Sequence, residues 1–283
     1  MIFRITHQVH YVYSASVFLE PHILRLRPRN DASQQISEFS EVITPSPAGS
    51  HDFLDAEGNL ATCLWFDGMV DSLVVSTSFA AQTFQTTPFS YLVTEDAFLQ
   101  LPVRYGGTDG EALVPFLQTV ELGQELQSFV QAIVNQADGK TLEFLFLLNT
   151  AIYEQCSVEI REHGLPHPPD LTWQRKQGAC RDLAVLFIAA CRSVGLAARF
   201  VSGYQEGDQD MAHRHLHAWA EVYVPGGGWR GYDPTHGLVV ADRHVALAAS
   251  HDPTGAAPVS GTFRGTGITA RMEYVIDLRS LPV

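Results

Sequence analysis

Three side chains in this sequence could perform nucleophilic chemistry together: Cys180, His217 and Asp233. Cys180 heads a run in which Leu183 to Cys191 carries no strongly polar side chain, and Gly195 follows as a helix-ending glycine would. The pattern predicts a helix from about Cys180 to Val194, apolar on nearly all sides and therefore buried, with Gly178 allowing a sharp turn into it. A thiol in the first turn of such a helix meets unpaired N–H groups and the positive end of the helix dipole, both of which favour the thiolate. Taken alone, Cys180 reads equally well as a packing residue. The residues downstream tip the balance. A cysteine nucleophile needs a base, and the base needs a carboxylate to orient it. His217, in the segment His217 to Val224, and Asp233, in the segment Trp229 to Thr235, supply both in chain order. The chemistry would be acyl transfer. A thiolate attacks an amide carbonyl, the imidazole carries the proton to the leaving amine, and the carboxylate holds the tautomer.

The same residues carry a family resemblance. The pattern Gly178-x-Cys180-Arg181-Asp182-x-Ala184, the segment Gly195 to Tyr204, the segment His217 to Tyr223 and Gly228-Trp229-x-x-Tyr232-Asp233-Pro234-Thr235 occur in this order. Together they resemble the transglutaminase-like superfamily, in the bacterial branch often described as cysteine proteases. The resemblance implies a papain-like core, with helices packed on an antiparallel sheet and the cysteine at a helix N-terminus. It makes Cys180 the nucleophile, His217 the base and Asp233 the orienter. It also implies an N-terminal β domain, whose signatures His7-x-x-x-Tyr11-x-Tyr13, Leu24 to Pro28 and Asp55-x-x-Gly58-Asn59 resemble. An oxyanion hole needs a second donor beside the N–H of Cys180. Trp173 and Gln174 are candidates for it, and Trp219 is a candidate substrate contact. Relatives tend to have an arginine–aspartate pair near Ser250 to Asp252, and here His251 stands in place of the arginine.

The resemblance favours hydrolysis of peptide or amide bonds, since bacterial relatives are usually read that way. No segment looks like a calcium loop or a dedicated amine site. The alternatives are a protein-glutamine transamidase, acetyl transfer from a thioester cofactor (for which no nucleotide-binding signature is found) and a non-catalytic peptide-binding module. No cofactor and no metal are expected.

The elements that must position these residues fall into two textures. Residues 1–105 read as an antiparallel β-sandwich: alternation over Phe3 to Tyr13, strands near Glu20 to Pro28, Ile36 to Thr44, Leu60 to Phe66 and Ser72 to Gln82, and a turn at Asp55 to Asn59. Gly106 to Gly110 reads as a loop and boundary. Residues 106–283 then form the transglutaminase-like core, so the fold class is α+β. Helices are expected at Leu113 to Leu117, Gln124 to Gln136 and Thr141 to Cys156, the last facing inward through Leu142, Leu145, Phe146, Asn149, Ile152 and Tyr153. The segment Arg161 to Asp170 reads as a proline-rich loop walling a cleft. Ala198 to Tyr204 reads as a core strand, and Thr269 to Leu278 as the final strand.

The register of the strand from His217 matters. Pairing Tyr223 with Trp229 puts Asp233 opposite Trp219 and diagonal to His217, on one face. Pairing Val224 with Trp229 sends Asp233 to the other face. The first register is therefore expected.

Other polar groups have plainer readings. Arg25 and Arg27 suit an internally paired strand face, and Arg199 an internal ion pair. His163 and His167 suit a loop surface. His213, His215 and His217 alternate and would share a strand face, where imidazoles could hold a metal. No carboxylate or cysteine pattern accompanies them, and pairing with Cys180 explains His217 better.

Composition excludes several classes. A net charge of −13 disfavours nucleic acid and anionic membranes as partners but does not select a substrate; the peptide or protein substrate is what the resemblance implies. Four scattered cysteines are too few for a disulfide framework or zinc ribbon. The N-terminus lacks the apolar core of a signal peptide, and no stretch approaches the roughly 20 apolar residues that span a bilayer. A cytoplasmic location is expected, which suits a free thiol.

Overall fold

A computed structural model describes residues 1–207 and 214–282. His213 lies outside the described residues.

The N-terminal part is built from two antiparallel sheets. In the first, Ile2–Leu19 lies between Val70–Thr83 and Ala270–Leu281, and Gln34–Thr44 extends it beyond Val70–Thr83. The second runs through Val259–Ser260, His22–Leu24, Leu60–Trp65 and Gly49–Leu54. Alternation along Ile2–Leu19 buries Phe3, Ile5 and Val9 on one face. Phe3, Leu73 and Val75 of the first sheet share a core with Leu24 and Leu64 of the second.

The closing strand crosses back over the division at residue 105. It spans Ala270–Leu281 and pairs along almost the whole of Ile2–Leu19, from Ile2 with Leu281 to Tyr13 with Ala270. Val259–Ser260 likewise pairs with His22–Leu24. The C-terminal segment therefore belongs to the N-terminal sheets. Its alternation satisfied the strand reading, but partner choice is a long-range matter that alternation does not encode.

The core places helices Gln124–Gln136, Thr141–Gln155, Pro169–Arg175 and Cys180–Ser193 beside a five-stranded antiparallel sheet. The sheet order is Leu238–Val239, Gly228–Asp233, His217–Val224, Ala198–Gln205, His244–Ser250. Ala218, Ala220 and Val222 pack against Leu183, Leu186 and Phe187 of the Cys180 helix. Tyr204, Val245 and Leu247 pack into the N-terminal core instead. The sheet is thus buried on both faces. Its edge strand His244–Ser250 is closed by two side-chain amides of the N-terminal part. Gln34 donates to the Ala246 carbonyl at 2.9 Å and accepts from its N–H at 2.8 Å. Asn59 does the same for Ala249, at 2.8 Å in both directions. Each amide stands in for one residue of a missing strand.

Some local readings shift. Gly107–Ala112 is a helix rather than a loop, followed by a 3₁₀ turn at Val114–Leu117. Pro169 opens a helix inside the proline-rich segment, where a missing N–H costs nothing. In Thr141–Gln155 the inward face is Phe144, Leu145, Leu148, Asn149 and Ile152, while Leu142, Phe146 and Tyr153 are exposed. Both stripes fit helical spacing, and only packing against the Cys180 helix selects one. Among the described residues no helix is long and apolar enough to cross a membrane.

Candidate active site

The helix bearing Cys180 spans Cys180–Ser193. It ends in a Schellman motif, with Gly195 at φ +83°, Gly195 N–H donating to Arg192 O at 3.0 Å and Leu196 N–H to Cys191 O at 3.0 Å. Its head is held by Asp182, whose side chain is fully buried. Asp182 Oδ2 accepts the Ala179 N–H at 2.8 Å, while Oδ1 accepts Arg161 at 2.6 Å and the His167 N–H at 2.7 Å. Arg181 turns outward and donates to the carbonyls of Arg161 and His163, at 2.7 Å each. The loop 161–167 is thereby fastened to the helix head, so His167 is part of this scaffold rather than plain loop surface. Gly178 has no left-handed φ. Its role is closeness, because a Cβ there would meet Asp182 Cβ at 2.8 Å and Thr172 Cγ2 at 3.2 Å.

The register of the next hairpin pairs Tyr223 with Trp229 and Ala220 with Tyr232. His217 and Asp233 come together as that register requires: His217 Nε2 lies 2.8 Å from Asp233 Oδ2. Cys180, half-buried, lies close enough to the imidazole to raise its pKa. Burial alone would push the His217 pKa down. The Asp233 charge and hydrogen bond, with a further contribution from Cys180, outweigh it and raise the value to about 10. For Asp233 burial pushes upward, but His217 and hydrogen bonds from His236 and His244 hold the carboxyl well below the usual range.

Asp233 is more heavily engaged than its motif suggests. Besides His217, Oδ2 meets His236 Nδ1 at 2.9 Å and His244 Nε2 at 3.0 Å, and Oδ1 accepts the Thr235 N–H at 3.0 Å. Neither extra histidine was foreseen. His236 follows the aspartate by one turn and was open to notice. His244 arrives from the far edge of the sheet with no local signal. Tyr274 was also missed: it comes from the closing strand, bonds His215 Nδ1 at 2.5 Å and stands in the field of Glu162 and Cys180.

The remaining candidates sort clearly. Trp173 is buried, its ring stacked on Phe129 at 3.8 Å and covered by Lys176, and Gln174 is exposed. Among the described residues no hydrogen bond joins either to Cys180 or His217. Trp219 is buried behind the dyad, its ring 6.1 Å from His217 and 5.1 Å from His244, and its indole N–H has no partner among the described residues. With Glu221 and His244 it lines a cavity of about 800 Å³ between the core and the N-terminal part. Arg199 is in the expected ion pair, 2.6 Å from Glu221, which Arg29 joins at 2.8 Å. Arg25 and Arg27 pair with Asp55 and Asp52. His251 holds Glu57 at 2.9 Å. His215 and His217 do not alternate on one strand, since the strand begins at His217 and His215 turns to Tyr274.

Comparison with known proteins bears on this geometry. Residues 127–234 match the transglutaminase-like superfamily, and residues 3–82 match the bacterial transglutaminase-like N-terminal region. The core is transglutaminase-like. An uncharacterized protein of Mycobacterium leprae is 24% identical over 297 residues, covering 98% of each chain. One from Mycobacterium tuberculosis is 26% identical over 292 residues, covering 98% of this chain and 92% of the relative. A protein-glutamine gamma-glutamyltransferase of Pseudomonas aeruginosa is 32% identical over 103 residues, which are 32% of this chain and 15% of that protein. The crystal structure of a candidate cysteine protease from Cytophaga hutchinsonii superposes with a TM-score of 0.75 at 20% identity, covering 100% of this chain and 91% of that one. This likeness of fold runs over the whole chain, N-terminal sheets included.

Proposed function

We propose that this transglutaminase-like protein is a cysteine hydrolase that cleaves peptide or amide bonds through a thioester intermediate. The observation that carries the reading is the placement of His217, with Asp233 at 2.8 Å on Nε2, near the half-buried Cys180 at the helix head. The thiolate attacks the carbonyl carbon of a peptide or side-chain amide. The oxyanion forms beside the N–H groups at the head of the Cys180 helix. The His217 imidazolium gives its proton to the departing amine. The neutral ring then activates water, whose attack releases the carboxylate and restores the thiol. Asp233 fixes the ring so that Nδ1 faces sulfur throughout. Trp219 backs His217 and limits its rotation. No cofactor enters any step.

A second reading replaces water by a primary amine, giving a protein-glutamine transamidase. The Pseudomonas relative named for that activity matches 32% of this chain and favours it. One experiment separates the two. A broad peptide mixture is incubated with the protein, with and without a primary amine, and read by mass spectrometry. Cleavage or deamidation supports hydrolysis, and amine incorporation supports transamidation. Full turnover by Cys180→Ala refutes both.

A further inference from the structure

Orienting one imidazole takes one hydrogen bond from Asp233, yet its Oδ2 collects three: His217 Nε2 at 2.8 Å, His236 Nδ1 at 2.9 Å and His244 Nε2 at 3.0 Å. The donor atoms of His217, Asp233 and His236 all lie within 4.8 Å of one another. Two imidazole nitrogens and a carboxylate oxygen are a borderline-soft set of the kind that zinc prefers. Zinc bonds of about 2.0–2.2 Å in a tetrahedron set neighbouring donors roughly 3.3 Å apart. The two nitrogen–oxygen separations reach that value if each ring withdraws by a few tenths of an ångström, and the two nitrogens lie within 4.8 Å of each other.

The surroundings favour entry on one side. The Asp233 side chain is fully enclosed and His217 is 10% exposed, but the His236 side chain is 40% exposed. His236 therefore forms the wet rim through which a hydrated ion would arrive and lose its water. Its position just after Pro234 and Thr235, in the turn closing the strand, allows the small movement coordination needs. Charge balance is also suitable, since one carboxylate offsets half of the ion's charge.

A second trio, Glu159, His167 and Asp182, has the same donor types and close spacing. It is unsuited, because the Arg161 guanidinium already lies 2.6 Å from Asp182 and its charge repels a cation. Among the described residues no guanidinium or ammonium group pairs with Asp233, and His217 would release its Nε2 proton for the incoming ion.

We propose that His217, Asp233 and His236 form a reversible zinc site, with water completing the tetrahedron, and that occupancy silences the thiol. A zinc ion on Nε2 takes the lone pair or proton through which His217 answers to Asp233. The electron-poor ring then holds a proton poorly on Nδ1 and cannot serve Cys180. The binding stands on donor geometry alone, and the silencing rests on the acyl-transfer reading.

The test separates these parts. The metal-free full chain is titrated with Zn²⁺ against a chromophoric chelator and with Co²⁺ by absorption. One equivalent should bind at micromolar affinity or tighter in both the native protein and Cys180→Ala. His236→Ala should weaken binding by about tenfold or more. His236→Asp, which restores a ligand, should recover most of it. The cobalt spectrum should show tetrahedral d–d bands without thiolate charge transfer. Absence of stoichiometric binding overturns the site, and so does its loss in Cys180→Ala or a thiolate–cobalt band. If binding holds and the protein hydrolyses peptides, zinc should abolish turnover and a chelator should restore it. Zinc binding with undiminished turnover overturns the silencing.

Discussion

Glu221 of the core sheet is gripped by Arg29 of the N-terminal part at 2.8 Å, on the same strand that presents His217. Arg199 holds the other carboxylate oxygen at 2.6 Å. This buried trio ties the scaffold of the candidate site to the β sheets in front of it. A buried ion network is strongly destabilised when one member is removed, because the rest are left uncompensated. Glu221→Gln leaves two guanidinium groups facing each other and should cost about 3–5 kcal/mol. Arg29→Ala should cost less, since Arg199 remains. Chemical denaturation of both variants measures the order, and equal losses would argue against the network.

Acid should act on this protein through two groups with the same sign. Burial pushes Glu221 upward, but Arg29 and Arg199 prevail and hold it at about 2 rather than 4.5. Its stabilisation is present above about 4.5 and is lost as the pH falls toward about 2. His7 is lowered by burial from 6.5 to about 4. Between those values the unfolded chain binds a proton that the folded protein refuses, so stability also falls as the pH drops through that window. His7→Gln should flatten the melting-temperature profile between about 6.5 and 4 relative to the native protein, and leave the lower limb in place. Parallel profiles across that interval would rule out the His7 contribution.

The four cysteines should differ sharply toward alkylation. Cys156 and Cys191 are buried and their thiols are pushed up by that burial. Cys63 and Cys180 are both part-exposed, but only Cys180 sits at a helix head beside an imidazole. Substoichiometric iodoacetamide followed by peptide mapping should find Cys180 modified first, Cys63 second and the other two only on unfolding. Labelling of Cys63 ahead of Cys180 would count against an activated thiol. Cys180→Ala should lose all hydrolytic turnover while keeping the native melting temperature within about a degree or two.

Asp182 offers a test of scaffold against chemistry. It accepts from Arg161, His167 N–H and Ala179 N–H and touches no proposed reacting atom. Asp182→Ala strands a guanidinium and two N–H groups, with an expected loss of about 3–5 kcal/mol. Any activity of the surviving fold should decline through displacement of Cys180. A partial rescue by Asp182→Glu, or by lower temperature, would fit that role, and unchanged stability would contradict it.

Much of the site was legible because its determinants are local. The apolar run after Cys180 and Gly195 beyond it dictate a buried helix with sulfur at its head. The alternation from His217, with a short glycine-rich turn before Trp229, allows two registers, and only one puts Asp233 on the imidazole's face. Pairing chemistry chose between them, and the structure has that register. The inward face of Thr141–Gln155 was misplaced because two apolar stripes satisfy one period, and the neighbour that decides between them is far away in sequence.

The sequence by itself determined the helix bearing the thiol, the strand bearing the imidazole and the parity that lets a carboxylate reach it. Tertiary structure alone decided that Ala270–Leu281 completes the first sheet, that Gln34 and Asn59 close the edge of another, and that His244 reaches Asp233 from the far edge strand. The physical reason is range. Backbone periodicity and turn chemistry act over a few residues and are written in the order of the side chains. Contacts between residues two hundred positions apart depend on which surfaces are left to bury once the local elements exist.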